Sequence, residues 1–102
     1  MKIYGSKLCP DCQKLLSVLG ETDMVFEFLD ITENLMNLKM FLKYRDNVTL
    51  FERFRESGKI GIPFLILDDG TITHNWENWC RSQDISLDNR RSKIILDLIP
   101  VS

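Results

Sequence analysis

The sequence predicts an α/β domain with one four-stranded sheet and helices on both of its faces. Three observations carry that expectation. Two strand-like segments, residues 2–5 and 25–31, enclose a stretch with helical spacing, and such a β-α-β unit favours a parallel pair. Asp69-Gly70 separates the apolar run 62–67 from a return segment 71–74, a strong hairpin signal. The chain has 102 residues, enough for one modest core but not for two, so a single domain spanning 1–102 is expected.

Lys2, Ile3, Tyr4 and Gly5 form a short strand, which residues 6–10 break. Leu15, Leu16, Val18 and Leu19 then recur at helical spacing. Pro10 suits the first helical position, where its missing N–H has no helical partner, and Gly20 is the expected C-cap. Cys9 thus falls at the mouth of a strand-to-helix turn. Residues 25–31 read VFEFLDI, rich in strand formers. Thr32 is the expected cap of a helix reaching about Arg45, with Leu35, Leu38, Leu42 and Arg45 along one face and Met36, Met40 and Phe41 widening it. Thr49 and Glu52 have capping-box spacing and open a short helix carrying Phe51 and Phe54, stopped by Gly58. Residues 62–67 form a strand with Pro63 at its start, where a proline costs no ladder bond. Asn75 caps a short helical turn through Trp76 and Trp79. Ser86 or Asp88 starts a last helix with Leu87, Arg91, Ile94, Ile95 and Leu98 on one side, ended by Pro100.

Thirteen Lys and Arg against fifteen Asp and Glu give a net charge of -2, a poor match to a general nucleic-acid binder. Three cysteines are too few, and odd in number, for a disulfide-stapled secreted scaffold. No apolar run approaches membrane-span length, and the start MKIYGSKLCPDC lacks a hydrophobic targeting core. A cytoplasmic protein is the expectation.

Cys9-Pro10-Asp11-Cys12 is the main chemical signal. Two cysteines three apart at a helix start can close a small disulfide. Cys9 faces outward-pointing N–H groups that favour a thiolate, whereas Cys12 lies one turn inside. Cys9 is therefore the expected attacker and Cys12 the resolver. Lys7, and Lys14 if it reaches back, add positive potential; Asp11 opposes it, though screened if it points to solvent. The competing reading is half of a zinc site, completed by His74 and Cys80. Their spacing and order are unlike a zinc knuckle, and an isolated C-x-x-C beside a β-α-β pattern favours redox work. Pro63 after Gly61-Ile62 is either a plain edge proline or a cis residue that sets the Ile62 backbone beside Cys9, free to pair with an extended peptide. Cys80 reads as a buried, inert thiol. Trp76 and Trp79 read mainly as packing residues; the alternative places Trp76 along the groove beside Cys9.

The succession of a short strand, CPDC, a helix, VFEFLDI, two helices, GIPFLIL, a DDG hairpin and a closing helix resembles the glutaredoxin family of the thioredoxin-like fold. It is most similar to the small glutaredoxin-like proteins of bacteria. The resemblance implies a three-layer α/β/α domain with a mixed sheet in the order 2-1-3-4, only strands 3 and 4 being joined as a hairpin. It implies a nucleophile at Cys9, a resolving thiol at Cys12 and a cis proline at Pro63. Two departures stand out. Asp11 replaces the aromatic residue usual in glutaredoxins, and THNWENWC replaces the Gly-Gly turn and acidic or hydroxyl residue that hold glutathione. Both weigh against glutathione as electron donor and leave open a thioredoxin-reductase-type donor or a dedicated protein partner.

The sequence thus points to a thiol-disulfide oxidoreductase acting on protein or small-molecule disulfides. Its expected site comprises Cys9 and Cys12, with Lys7, Pro10, Asp11, Ile62 and Pro63 in support. No bound cofactor or metal, no nucleic acid and no membrane are expected, and the chain is expected to be a monomer. The alternatives are a thioredoxin-like binding or regulatory module with little turnover, and the Cys/His metal site.

Overall fold

The computed structural model describes residues 1–87. The helix expected from Arg91, Ile94, Ile95 and Leu98 lies outside those residues. Four strands, β1 (Lys2–Gly5), β2 (Glu27–Asp30), β3 (Phe64–Ile66) and β4 (Ile72–Thr73), build one sheet in the order β2-β1-β3-β4. The central strand β1 pairs in parallel with β2, Ile3 opposite Phe28, and antiparallel with β3, Ile3 opposite Leu65. β3 and β4 close the antiparallel hairpin. This is the mixed sheet that the β-α-β pattern and the Asp69-Gly70 turn require.

Alternation along the strands divides the core in two. Ile3 and Leu65 face Leu15, Val18 and Leu19 of α1 (Pro10–Gly20), together with Trp76 and Cys80 of α4 (Trp76–Ser82). Tyr4 and Phe64 face the opposite way, onto Phe41 of α2 (Leu35–Asn47) and Phe51 of a 3-10 turn, Thr49–Phe51, which leads into α3 (Glu52–Ser57). The result is three layers, α/β/α. One face is mainly aliphatic. The other is a ring cluster in which Phe51 and Phe64 meet edge-on at 4.7 Å and Phe41 and Phe51 at 5.6 Å.

Several elements differ in detail from expectation, each for a local reason. Gly20 is the last residue of α1, and Glu21 is the cap, its N–H donating to Val18 O while Thr22 N–H donates to Leu19 O; the Thr22 hydroxyl also donates to Leu19 O at 2.7 Å, so no left-handed glycine is needed. β2 begins at Glu27 because its register starts opposite Lys2, which leaves Val25 without a partner strand and exposed. Asn34, not Thr32, caps α2, its side chain accepting from Asn37 N at 3.1 Å; Thr32 is engaged by Asp30. The expected apolar face of α2 is rotated. Leu35 and Met36 are exposed at 80% and 61%, while Phe41 is fully buried with Leu38 and Tyr44 beside it, because the sheet presents the rings of Tyr4 and Phe64 there. The Thr49–Glu52 capping box gives way to the 3-10 turn, closed by Phe51 N donating to Val48 O. β3 and β4 are shorter than expected, and β3 starts only after Pro63, which has no N–H for the ladder.

Gly58 ends α3 in the left-handed region, as expected. Gly61 is more constrained: its φ is +95°, and a Cβ there would lie 2.9 Å from the Phe51 ring. Gly70 also has positive φ but faces open space. Gly61→Ala is therefore expected to lower the unfolding free energy by about 2 kcal/mol and Gly70→Ala by only about 1 kcal/mol, as urea denaturation would show.

His74, just past β4, sits against the rings of Phe51 and Phe54 at 4.2 and 4.3 Å. Burial lowers its pKa from 6.5 to about 4. The unfolded chain therefore takes up this proton first, so the His74 contribution to stability is present above pH 6.5 and lost as pH falls towards about 4. Denaturation midpoints across that window should decline in the wild type and decline less in His74→Phe.

Candidate redox active site

β1 delivers the chain through Ser6, Lys7 and Leu8 to Cys9, the N-cap residue of α1. Cys9 has an extended backbone, φ −88° and ψ 124°, and its side chain makes no capping bond. Its N–H donates to Ser6 O at 3.1 Å, and its carbonyl accepts from Gln13 N at 3.0 Å. The residue is half-buried, whereas Cys12, one turn on, is fully buried. Burial pushes the Cys12 thiol up to about 12, against a weaker opposing pull from the Ser6 N–H, which donates to the sulfur at 3.5 Å. The neighbouring Cys9 side chain also favours the protonated Cys12. Gly5 makes room for this sulfur: a Cβ at Gly5 would stand 2.8 Å from Cys12 Sγ.

The loop bearing Cys9 hangs from one buried carboxylate. Asp30, at the end of β2, accepts from Lys7 N at 3.1 Å, Thr32 N at 2.7 Å, Glu33 N at 3.2 Å and the Thr32 hydroxyl at 2.6 Å. Since Thr32 gives its proton to Asp30, the Ser6 hydroxyl must donate to Thr32 Oγ1, 2.9 Å away. Ser6 Oγ in turn accepts from Leu8 N at 3.1 Å. Gln13 closes the loop from the helix side, donating to Lys7 O at 2.6 Å. Burial pushes the Asp30 carboxyl up, but the bonds from Thr32, Lys7 and Glu33 together outweigh it and hold the group below the ordinary carboxylate range.

The residues expected at the site fall as follows. Pro10 is the first residue of α1, and Asp11 lies exposed in its first turn. The Lys7 ammonium lies 3.8 Å from Glu33, both exposed. The Ile62–Pro63 bond is cis. The pairing of Tyr4 with Phe64 sets Pro63 at the end of the sheet where β1 hands over to the Cys9 loop. Ile62 packs on the aromatic core. Trp76 is buried against α1 and the sheet and so takes the packing role rather than lining a groove. Cys80 is buried in the same layer, and burial raises its pKa. His74 meets phenylalanines of the opposite layer. The four candidate zinc ligands therefore do not gather, and no group of three or more metal-binding side chains occurs among the described residues.

Sequence reasoning gave Gly5, Ser6, Gln13, Asp30 and Thr32 no role at the thiol pair. A signal existed for Asp30: a carboxylate closes the strand after Phe28 and Leu29 and is followed two residues on by threonine, a pattern suited to local side-chain-to-backbone bonds.

The fold is thioredoxin-like. No protein-family model matches the chain. A curated relative from Haemophilus influenzae, which bears the description "Uncharacterized protein", is 29% identical over 70 residues, 69% of this chain and 81% of that protein. No solved structure matches. The closely spaced Cys9–Cys12 pair at the start of the first helix is the arrangement a thiol-based redox site needs.

Asp30→Ala is expected to destabilise the protein by about 2 kcal/mol, the worth of bonds to a charged acceptor, and to speed alkylation of Cys12 by loosening the loop over it. Because the folded pKa is the lower one, the Asp30 contribution is present above pH 3.8 and lost as pH falls through the folded value. Chemical denaturation and mass-resolved alkylation check the two effects.

Proposed function

We propose that this chain is a thiol-disulfide oxidoreductase of glutaredoxin-like type. The observation that carries the reading is the inequality of the two thiols: a half-buried Cys9 at the helix start beside a fully buried Cys12 whose burial holds its proton. The Cys9 thiolate attacks a substrate disulfide R–S–S–R′, forming a Cys9–S–S–R bond and releasing R′–S⁻, which takes up a proton. Cys12 then gives up its proton and attacks the Cys9 sulfur, releasing the second substrate thiol and forming the Cys9–Cys12 disulfide. Two electrons pass from the dithiol to the substrate, and an external thiol or dithiol donor returns them. Keeping Cys12 protonated until the mixed disulfide forms confines the first attack to Cys9.

The surroundings fit supporting roles. The cis Pro63 at the same end of the sheet leaves the Ile62 main chain as a docking edge for an extended substrate. Lys7 tempers the negative charge of Glu33, and Asp11 places a further carboxylate at the helix start. That charge pattern favours a protein disulfide or a thioredoxin-reductase-type donor over glutathione. No helix of the described residues is long and apolar enough to cross a membrane. The reading takes residues 1–102 as one domain, working as a cytoplasmic monomer.

Cys12→Ser should accumulate a mixed disulfide on Cys9 with a model disulfide substrate, and Cys9→Ser should abolish turnover by at least ~10²-fold, the scale expected for loss of a nucleophile. Mass spectrometry of the trapped species and a coupled turnover assay measure these. A wild-type protein that never forms the internal disulfide on oxidation would sink the proposal.

A further inference from the structure

On the aromatic side of the sheet, away from α1, a cavity of about 600 Å³ opens between the 3-10 turn, α3 and the end of β4. That volume suits a small organic ligand. Its lining combines two chemistries. Arg53 and Lys59 bring positive charge against the single carboxylate of Glu52, and neither cation makes an ion pair among the described residues. Phe54 and His74, with ring centroids 4.3 Å apart and planes inclined at 53°, supply an apolar wall. The His74 Nε2 atom is buried without a hydrogen-bond partner among the described residues, a condition that native structures seldom leave unexplained.

The walls are held in place before any ligand arrives. Arg55 donates to the Arg45 and Val48 carbonyls, and Arg45 donates to those of Lys59 and Ile60 at 2.9 and 3.1 Å. These bonds tie the end of α2 to α3 and to the segment carrying Lys59. A preorganised pocket loses less on binding than one that must assemble.

We infer that this cavity is a binding site for a small organic anion with a flat aromatic body. The anionic group meets Arg53 and Lys59, and the ring lies along Phe54 and His74. The site uses neither Cys9 nor Cys12, so it stands whether or not the redox reading does.

Phenyl phosphate, carrying both features, is the probe; inorganic phosphate and phenol carry one each. In a titration of isotope-labelled protein followed by NMR, phenyl phosphate should shift resonances of residues 49–59 and 74. Phosphate and phenol should bind at least about tenfold more weakly. Arg53→Glu and Lys59→Glu, both at exposed positions, should each weaken phenyl phosphate about tenfold, the scale of one charge-assisted bond. Lys39→Glu, which makes the same change in net charge on the exposed side of α2, should leave it unchanged. The inference is overturned if phenyl phosphate shifts nothing, if its shifts centre on Cys9, or if Lys39→Glu weakens binding as much as the pocket variants do.

Discussion

The carboxylate of Asp30 is the contact on which the geometry of the thiol pair depends. A buried anion is tolerated only where hydrogen bonds replace its lost water, and here four donors do so, three of them backbone N–H groups. The arrangement works in both directions. The donors keep Asp30 ionised, and the ionised Asp30 fixes two loops at once: the one descending from β1 to Cys9 and the one rising from β2 to α2. Through Thr32 it also orients the Ser6 hydroxyl, and Ser6 offers its N–H to the Cys12 sulfur and its carbonyl to the Cys9 N–H. Local bonds of this kind fix the short irregular segment that carries Cys9 against Cys12 in the first turn of α1.

The two faces of the sheet divide the remaining work. Cys12 shares the buried face of α1 with Leu15, Val18 and Leu19, and Gly5 leaves the space its sulfur occupies. The aromatic layer positions the segment that carries Pro63. Phe51 and Phe54 leave no room for a side chain at Gly61, and Arg45 holds the Lys59 and Ile60 carbonyls. One helix face on the aliphatic side thus buries the thiol, while the aromatic side holds the segment that leads into the cis proline.

The main architecture was legible in the sequence because it follows from short-range signals. Strand formers bounded by breakers, the spacing of Leu15, Val18 and Leu19, and the Asp69-Gly70 turn each specify structure within a few residues, and together they leave few topologies. The close placement of Cys9 and Cys12 at the start of the first helix was legible for the same reason, because it follows from their spacing. The order of the strands came from resemblance, and the sheet has that order. What the sequence left open are choices made between distant groups. The exposed residues Leu35 and Met36 looked like core because α2 is apolar on more than one side, and only the rings presented by Tyr4 and Phe64 decide which side faces inward. Thr32 looked like a helix cap because its competing partner, Asp30, is recruited by the fold. Trp76 was ambiguous because an aromatic residue suits a core and a groove alike; its burial against α1 depends on where α4 lands.

Register explains why so short a sheet can place these groups at all. β1 is the central strand, bonded on one side to β2 and on the other to β3. Its carboxyl end leads to Cys9, the end of the parallel β2 supplies Asp30, and the start of the antiparallel β3 follows Pro63. All three therefore lie at one end of the sheet, as does His74 at the end of β4. A slip of one residue in β1 would exchange Ile3 and Tyr4 between the aliphatic and aromatic layers. It would also move Gly5 away from Cys12 and Asp30 away from Lys7. The burial of Ile3 and Tyr4 on opposite faces thus fixes more than the core. By setting the register, it sets the distance between the carboxylate, the thiol pair and the cis proline, so that packing in the two layers and geometry at the sulfurs are governed by the same strand.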